Sequence, residues 1–235
     1  MNTTLLLLTT GFAMFGFLSW YALSATLRHQ KSFQIQFDIC TPYVNRFYRR
    51  RIMLFILYTI LPFLAIFRWQ WAGPISPEAL GISFAWTPSA LYWVMGSLVV
   101  AFAYNLLYAG RDFNLTEFPE IRITRWSPGI LSLSALTKAL QVFSIEYMFR
   151  GLVLGSLLYA GYSDLASIIL SAGLYALTNY YKTNRYALFS VIYGLMAAYI
   201  AIQTGSLLSV LIIHLAFSLI NEWFSIRRHP EMKTV

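Results

Sequence analysis

Apolar runs long enough to cross a lipid bilayer recur along the whole chain, and they put a soluble globule out of reach. A helix crossing a hydrocarbon core of roughly 30 Å needs about 20 mostly apolar residues. Seven stretches fit: about 4–27, 52–67, 88–108, 127 into the 150s, 164–181, 186–203 and 206–226. With 58% of residues hydrophobic and 11% charged, too little polar surface is left to face water. The expected fold is all-α, a multi-pass membrane helical bundle of about seven transmembrane helices, with residues 1–235 forming one integral membrane domain.

The first run opens on Met1-Asn2-Thr3-Thr4 without a basic leader and outlasts the core of a cleaved signal, so it is expected to be a retained span. Cys40 is the single cysteine, which rules out an internal disulfide and a multi-cysteine metal site. A net charge of +8 on a soluble protein would suggest nucleic acid, but on a membrane protein it sets topology, and no nucleic-acid partner is expected. With the amino terminus outside, fourteen of the seventeen Lys and Arg residues fall on the inner side. Only Arg68 falls outside, and Lys138 and Arg150 lie within the fourth run. The expected location is a bacterial-type inner (plasma) membrane, with the carboxyl terminus cytoplasmic.

Local signals add detail. Pro62 predicts a kink in the second span, and Trp69, Trp71 and Trp86 read as an interface belt. Ser76-Pro77-Glu78-Ala79-Leu80 reads as a short helix start, Gly161-Tyr162-Ser163-Asp164 as a turn with a helix cap, and Thr204-Gly205 as the last turn. The cluster Arg46, Arg49, Arg50, Arg51 is expected at the inner-leaflet surface, and 111–126, with its mixed charge and spaced aromatics, as a strip lying on that surface. Lys138 is expected to snorkel to the headgroups. Gly151 and Gly155 are expected to admit a neighbouring helix at close range.

Three polar clusters lie inside apolar spans: Glu146 with Arg150, Tyr175 with Thr178 and Asn179, and His214 with Ser218, Asn221 and Glu222. Glu146 and Arg150 are one helical turn apart and share a face. Charges at that depth cost roughly 2.5–3.5 kcal/mol each, which marks the pair as a functional-site candidate. Glu146, Asn179 and His214 lie at similar depth by residue count and are expected to face one another, since lipid would leave them without partners. Glu222, near the inner end, is expected to be solvated. A carboxylate and a histidine in one dry cavity could activate water against a peptide carbonyl, with an amide or hydroxyl for the oxyanion. One His and one Glu fall short of the three ligands of a catalytic zinc, no acid is placed to orient His214 as in a serine triad, and no cofactor is expected.

Glu146-x-x-x-Arg150-Gly151, then Tyr175-x-x-x-Asn179, then His214-x-x-x-Ser218 resemble, in order and spacing, the CAAX-protease and bacteriocin-processing (CPBP) superfamily. These are intramembrane glutamic-type endopeptidases related to the type II CAAX prenyl proteases. The resemblance covers roughly 111–223 and implies the catalytic motif positions Glu146, Arg150, Asn179, His214 and Ser218. It also implies three departures. The family's usual first glutamate, the water-activating base, is Ile145 here, the histidine ending its second motif is Asn179, and the asparagine or aspartate of its third is Ser218. An isoleucine takes no proton and an asparagine becomes no cation. The expected function is therefore a CPBP-fold membrane protein with a degenerate protease site, a non-catalytic subunit or assembly factor whose partners are membrane lipid and another integral membrane protein. The alternative is an active intramembrane endopeptidase acting on a membrane-associated peptide.

Overall fold

The protein is seen in a computed structural model that describes residues 3–28, 41–115, 118–179 and 184–235. Lys31, Cys40 and Lys182 lie outside them. The described residues form an all-α bundle of seven helices: α1 (Thr3–Arg28), α2 (Thr41 to Arg68), α3 (Pro88–Tyr108), α4 (Pro128–Tyr159), α5 (Asp164–Leu177), α6 (Asn184–Thr204) and α7 (Leu207–Arg228). The chain is a multi-pass membrane protein, and six of the helices are long and apolar enough to cross.

The expected boundary of the fifth span is corrected, because α5 has 14 residues and stops at Leu177. At 1.5 Å per residue that is about 21 Å, short of the roughly 30 Å of a hydrocarbon core. Helix starts follow local chemistry. Thr87, Ser127 and Ser163 each accept a hydrogen bond from a backbone N–H three residues on, and Ser206 does so from Leu208 N–H. Pro88 and Pro128 take the first helical position, where a missing N–H costs nothing. Gly161 and Gly205 turn the chain with φ of +87° and +58°. Trp69, Trp71 and Trp86 are exposed as a belt would be, and Glu78–Leu80 forms one 3₁₀ turn after Pro77.

Two helices contain wide turns. Around Pro62, which offers no N–H, α2 takes π geometry over Ile56–Ile60 and again over Leu64–Arg68. In α4 the π segment is Tyr147–Val153, and all of it is buried. This segment packs against α1, α5 and α6, and the Ser171 hydroxyl donates to the Phe149 carbonyl at 2.7 Å. α5 lies along α6, α7 along α3, and α2 along α4.

Several expectations about charge change here. α2 begins at Thr41, ahead of the expected 52, so the basic cluster lies on a helix and its last member, Arg51, is 2% exposed. The segment 118–126 is not a surface strip. Ile121, Ile123 and Trp126 are fully buried, packed with Val44, Tyr48, Ile226 and Met232. Strands β1 (Arg125–Trp126) and β2 (Lys233–Thr234) pair in parallel, so the tail holds this segment against the end of the bundle. The close approach at Gly155 is to backbone at Leu80 and not to another helix. Gly151 faces the Ile82 side chain of the same loop.

Candidate functional site

α4 carries the first motif pair into the centre of the bundle. Glu146 and Arg150 are both buried, with Arg150 Nε 3.3 Å from Glu146 Oε2. The Arg150 nitrogens make no hydrogen bond among the described residues. The guanidinium lies over two rings instead, 4.4 Å from the centre of Tyr175 and 5.4 Å from that of Tyr193. Glu146 Oε1 is met by His214 Nδ1 and by the Tyr193 hydroxyl, which donates at 3.2 Å. Tyr193 also packs on the His214 ring, with centroids 4.7 Å apart. Glu146 is thus held by three groups from three helices.

The expected meeting of Glu146 and His214 is what the structure shows. Asn179 is not part of that contact. Its Nδ2 donates to the Tyr175 carbonyl one turn back, and it lines a cavity beside the pair. Ser218 lines the same cavity, of about 430 Å³, as does His214. Ile145 stands on the cavity wall, whereas Glu146 lies behind it. Tyr193 was missed from sequence, since a tyrosine inside an apolar span looks the same whether it packs or bonds. Its depth, matching Glu146 and His214, was the available signal. Tyr193→Phe keeps the ring and removes the bond to a carboxylate, an interaction worth about 1.5–3 kcal/mol. A lower melting temperature in detergent, with the variant still folded, is the expected result.

Lys138 and Glu222, both left out of the candidate site, are corrected. Lys138 is 5% exposed and Nζ lies 2.8 Å from Glu120 Oε2. It points inward because an ion pair awaits it there, and headgroups are not its partner. Glu222 is 2% exposed, accepts from the Ser134 hydroxyl at 2.9 Å and lies 3.7 Å from Arg51. Arg51 donates to Glu120 Oε2 at 2.8 Å, to the Ser134 carbonyl at 3.0 Å and to Thr137 at 3.2 Å. Glu120 and Lys138 therefore line one end of the cavity, with Arg51 and Glu222 buried behind them. Among the described residues no group of three His, Cys, Asp or Glu side chains converges as metal ligands do.

The order of these elements, the Glu-Arg helix α4, then Asn179 just past the end of α5, then His214 on α7, agrees with a family match. Residues 127–220 match the family described as type II CAAX prenyl endopeptidase Rce1-like. Over this stretch the chain is similar to that family. The Rce1-like segment spans α4 through most of α7 and contains Glu146, Arg150, Asn179, His214 and Ser218. The match supports the resemblance to the CPBP superfamily drawn from the motifs. No curated protein and no solved structure matches the chain.

Proposed function

We propose that this Rce1-like protein binds in its cavity and does not cut there, serving as a non-catalytic subunit or assembly factor for another integral membrane protein. Its setting is a bacterial-type inner membrane, amino terminus outside and carboxyl terminus cytoplasmic, as the charge segregation favours. One observation carries the reading. The carboxylate of the motif is fully buried behind the cavity wall, engaged by Arg150, His214 and Tyr193, and the wall position beside it is Ile145. A general base needs an open oxygen within hydrogen-bond reach of the water it activates. Glu146 Oε1 is taken by Tyr193 and His214, Oε2 faces the Arg150 guanidinium behind the wall, and Ile145 offers no oxygen.

The contact between Glu146 and His214 is the observation that favours the second reading, a residual endopeptidase. In that reading His214, which lines the cavity, shares proton transfer with Glu146, and Asn179 stabilises the oxyanion.

Quantitative mass spectrometry of what co-purifies in mild detergent, natural chain against His214→Ala, separates the two. A full-length membrane partner held in equal stoichiometry by both is the expected result. A precursor accumulating on the variant alone would overturn the proposal in favour of peptide cleavage.

A further inference from the structure

The charged end of the cavity lies apart from the motif residues, and its geometry does not depend on whether the motif end binds or cuts. Along α4, Lys138, Gln141, Val142 and Ile145 line the cavity at spacings of three, four and seven, so one helical face runs from the ion cluster to the motif end. The rise between Lys138 and Ile145 is about 10 Å. The facing walls are mostly apolar, with Leu54 on α2, Ile192 and Met196 on α6 and Phe217 on α7, interrupted by Ser190, Ser218 and Asn221. A chamber of about 430 Å³ falls in the range of small-molecule sites. One end is ionic and the length is greasy, which is the shape of an amphiphile.

The ionic end states which sign of head it takes. Arg51 and Lys138, 2% and 5% exposed, converge on a single oxygen, Oε2 of Glu120, each at 2.8 Å. Glu120 belongs to no helix, and its side chain is 21% exposed although its neighbours Pro119 and Ile121 are buried. The backbone there is pinned while the carboxylate keeps a route to water. A ligand carboxylate arriving in the cavity would exchange one for one with Glu120, leaving both cations paired. That matters because an unpaired buried charge is not tolerated.

We propose that Arg51 and Lys138 form an anion seat at this end of the cavity for a single-chain carboxylate amphiphile of the fatty-acid type, and that the Glu120 carboxylate is the chain's own stand-in for that head. The acyl chain lies along the α4 face toward Ile145. Affinity should then rise by about fourfold for each CH₂ withdrawn from water, until the cavity is filled.

The test is binding of dodecanoate to the full chain in nanodiscs of zwitterionic lipid, with octanoate and dodecyltrimethylammonium for comparison. Dodecanoate is expected to bind at least tenfold tighter than octanoate, and the cationic amphiphile is expected not to compete. Glu120→Gln removes the competing charge and should tighten dodecanoate binding about tenfold. Lys138→Met should weaken it by a similar factor. Should a variant not fold, the natural chain suffices, because dodecanoate and not dodecyltrimethylammonium should raise its melting temperature. Retention of an anionic phospholipid with the same dependence on Glu120 and Lys138 would support the seat with membrane lipid as the source. Equal binding of both amphiphiles, or no gain in Glu120→Gln, would overturn the proposal and leave Glu120 as a staple between the 118–126 segment and the helices. Neither result bears on partner retention by His214→Ala, so the two proposals stand or fall separately.

Discussion

Glu146→Ala is expected to remove about 3–5 kcal/mol of stability, enough to deplete the protein from its membrane. The reason lies with Arg150, which would stay buried as an uncompensated cation. The rings of Tyr175 and Tyr193 offer it about 0.5–2 kcal/mol of cation–π attraction, which does not replace a carboxylate. Removing the cation as well, in Glu146→Ala with Arg150→Met, should restore part of the loss, since an apolar pair in that space leaves nothing unpaired. His214→Ala, by contrast, leaves the Glu146–Arg150 pair intact and should cost less, about 1.5–3 kcal/mol, as for one hydrogen bond to a carboxylate. Melting curves in detergent and the amount of protein in membranes measure all three variants. A double variant no more stable than Glu146→Ala would show that the stranded cation is not the cause.

The second large effect is expected at Gly155. A Cβ there would stand 2.1 Å from the Leu80 carbonyl oxygen and 2.9 Å from its carbon, distances at which backbone has to move. Overpacking usually costs about 1–3 kcal/mol, and Gly155→Val should reach or exceed the upper end because the obstacle is main chain. Gly151→Ala should be milder. Its Cβ would meet the Ile82 side chain at 3.1 Å, and that side chain can turn away. Gly173, in mid-helix with nothing within 4 Å, is the control, where alanine should stabilise by about 0.5–1 kcal/mol. Thermal stability of the three variants checks the order. A Gly155→Val protein that melts like the natural chain would mean that the loop at Leu80 yields freely.

Much of this architecture was legible because its signals are local. Ser163 before Asp164 and Pro128 after Ser127 mark helix starts through nearest neighbours alone. The encounter of Glu146 with His214 followed from depth, since polar groups at one level of a bilayer seek each other. The Glu120–Lys138 pair was not legible, and the reason is symmetrical ambiguity. A lysine 11 residues into a helix reads equally well as snorkelling or as paired, and its partner sits on a segment whose composition suggests a surface. Arg51 was hidden among three other arginines that read, like it, as an inner-leaflet cluster. The early end of α5 was hidden too, because Thr178 and Asn179 read as polar groups inside a span that closes on the aromatic pair Tyr180-Tyr181, beyond the last helical residue, Leu177.

The wide turn in α4 has a consequence for how the motif Glu-x-x-x-Arg is to be understood. A π turn adds one residue to a helix, and one residue is about 100° of rotation. Everything after Val153 is therefore phased differently from everything before Tyr147. The leading half of α4 can aim Lys138, Gln141 and Ile145 at the cavity, while the trailing half turns Gly155 to the loop at Leu80 and Ser156 to Thr9 on α1. One helix thus behaves as two gears on a single shaft, offset by a tooth. Most substitutions within Tyr147–Val153 alter one contact, and a single-residue deletion there should convert the wide turn to ordinary α-helix with the trailing half still in mesh, whereas one further inserted residue would rotate that half by about 100° against every partner it has.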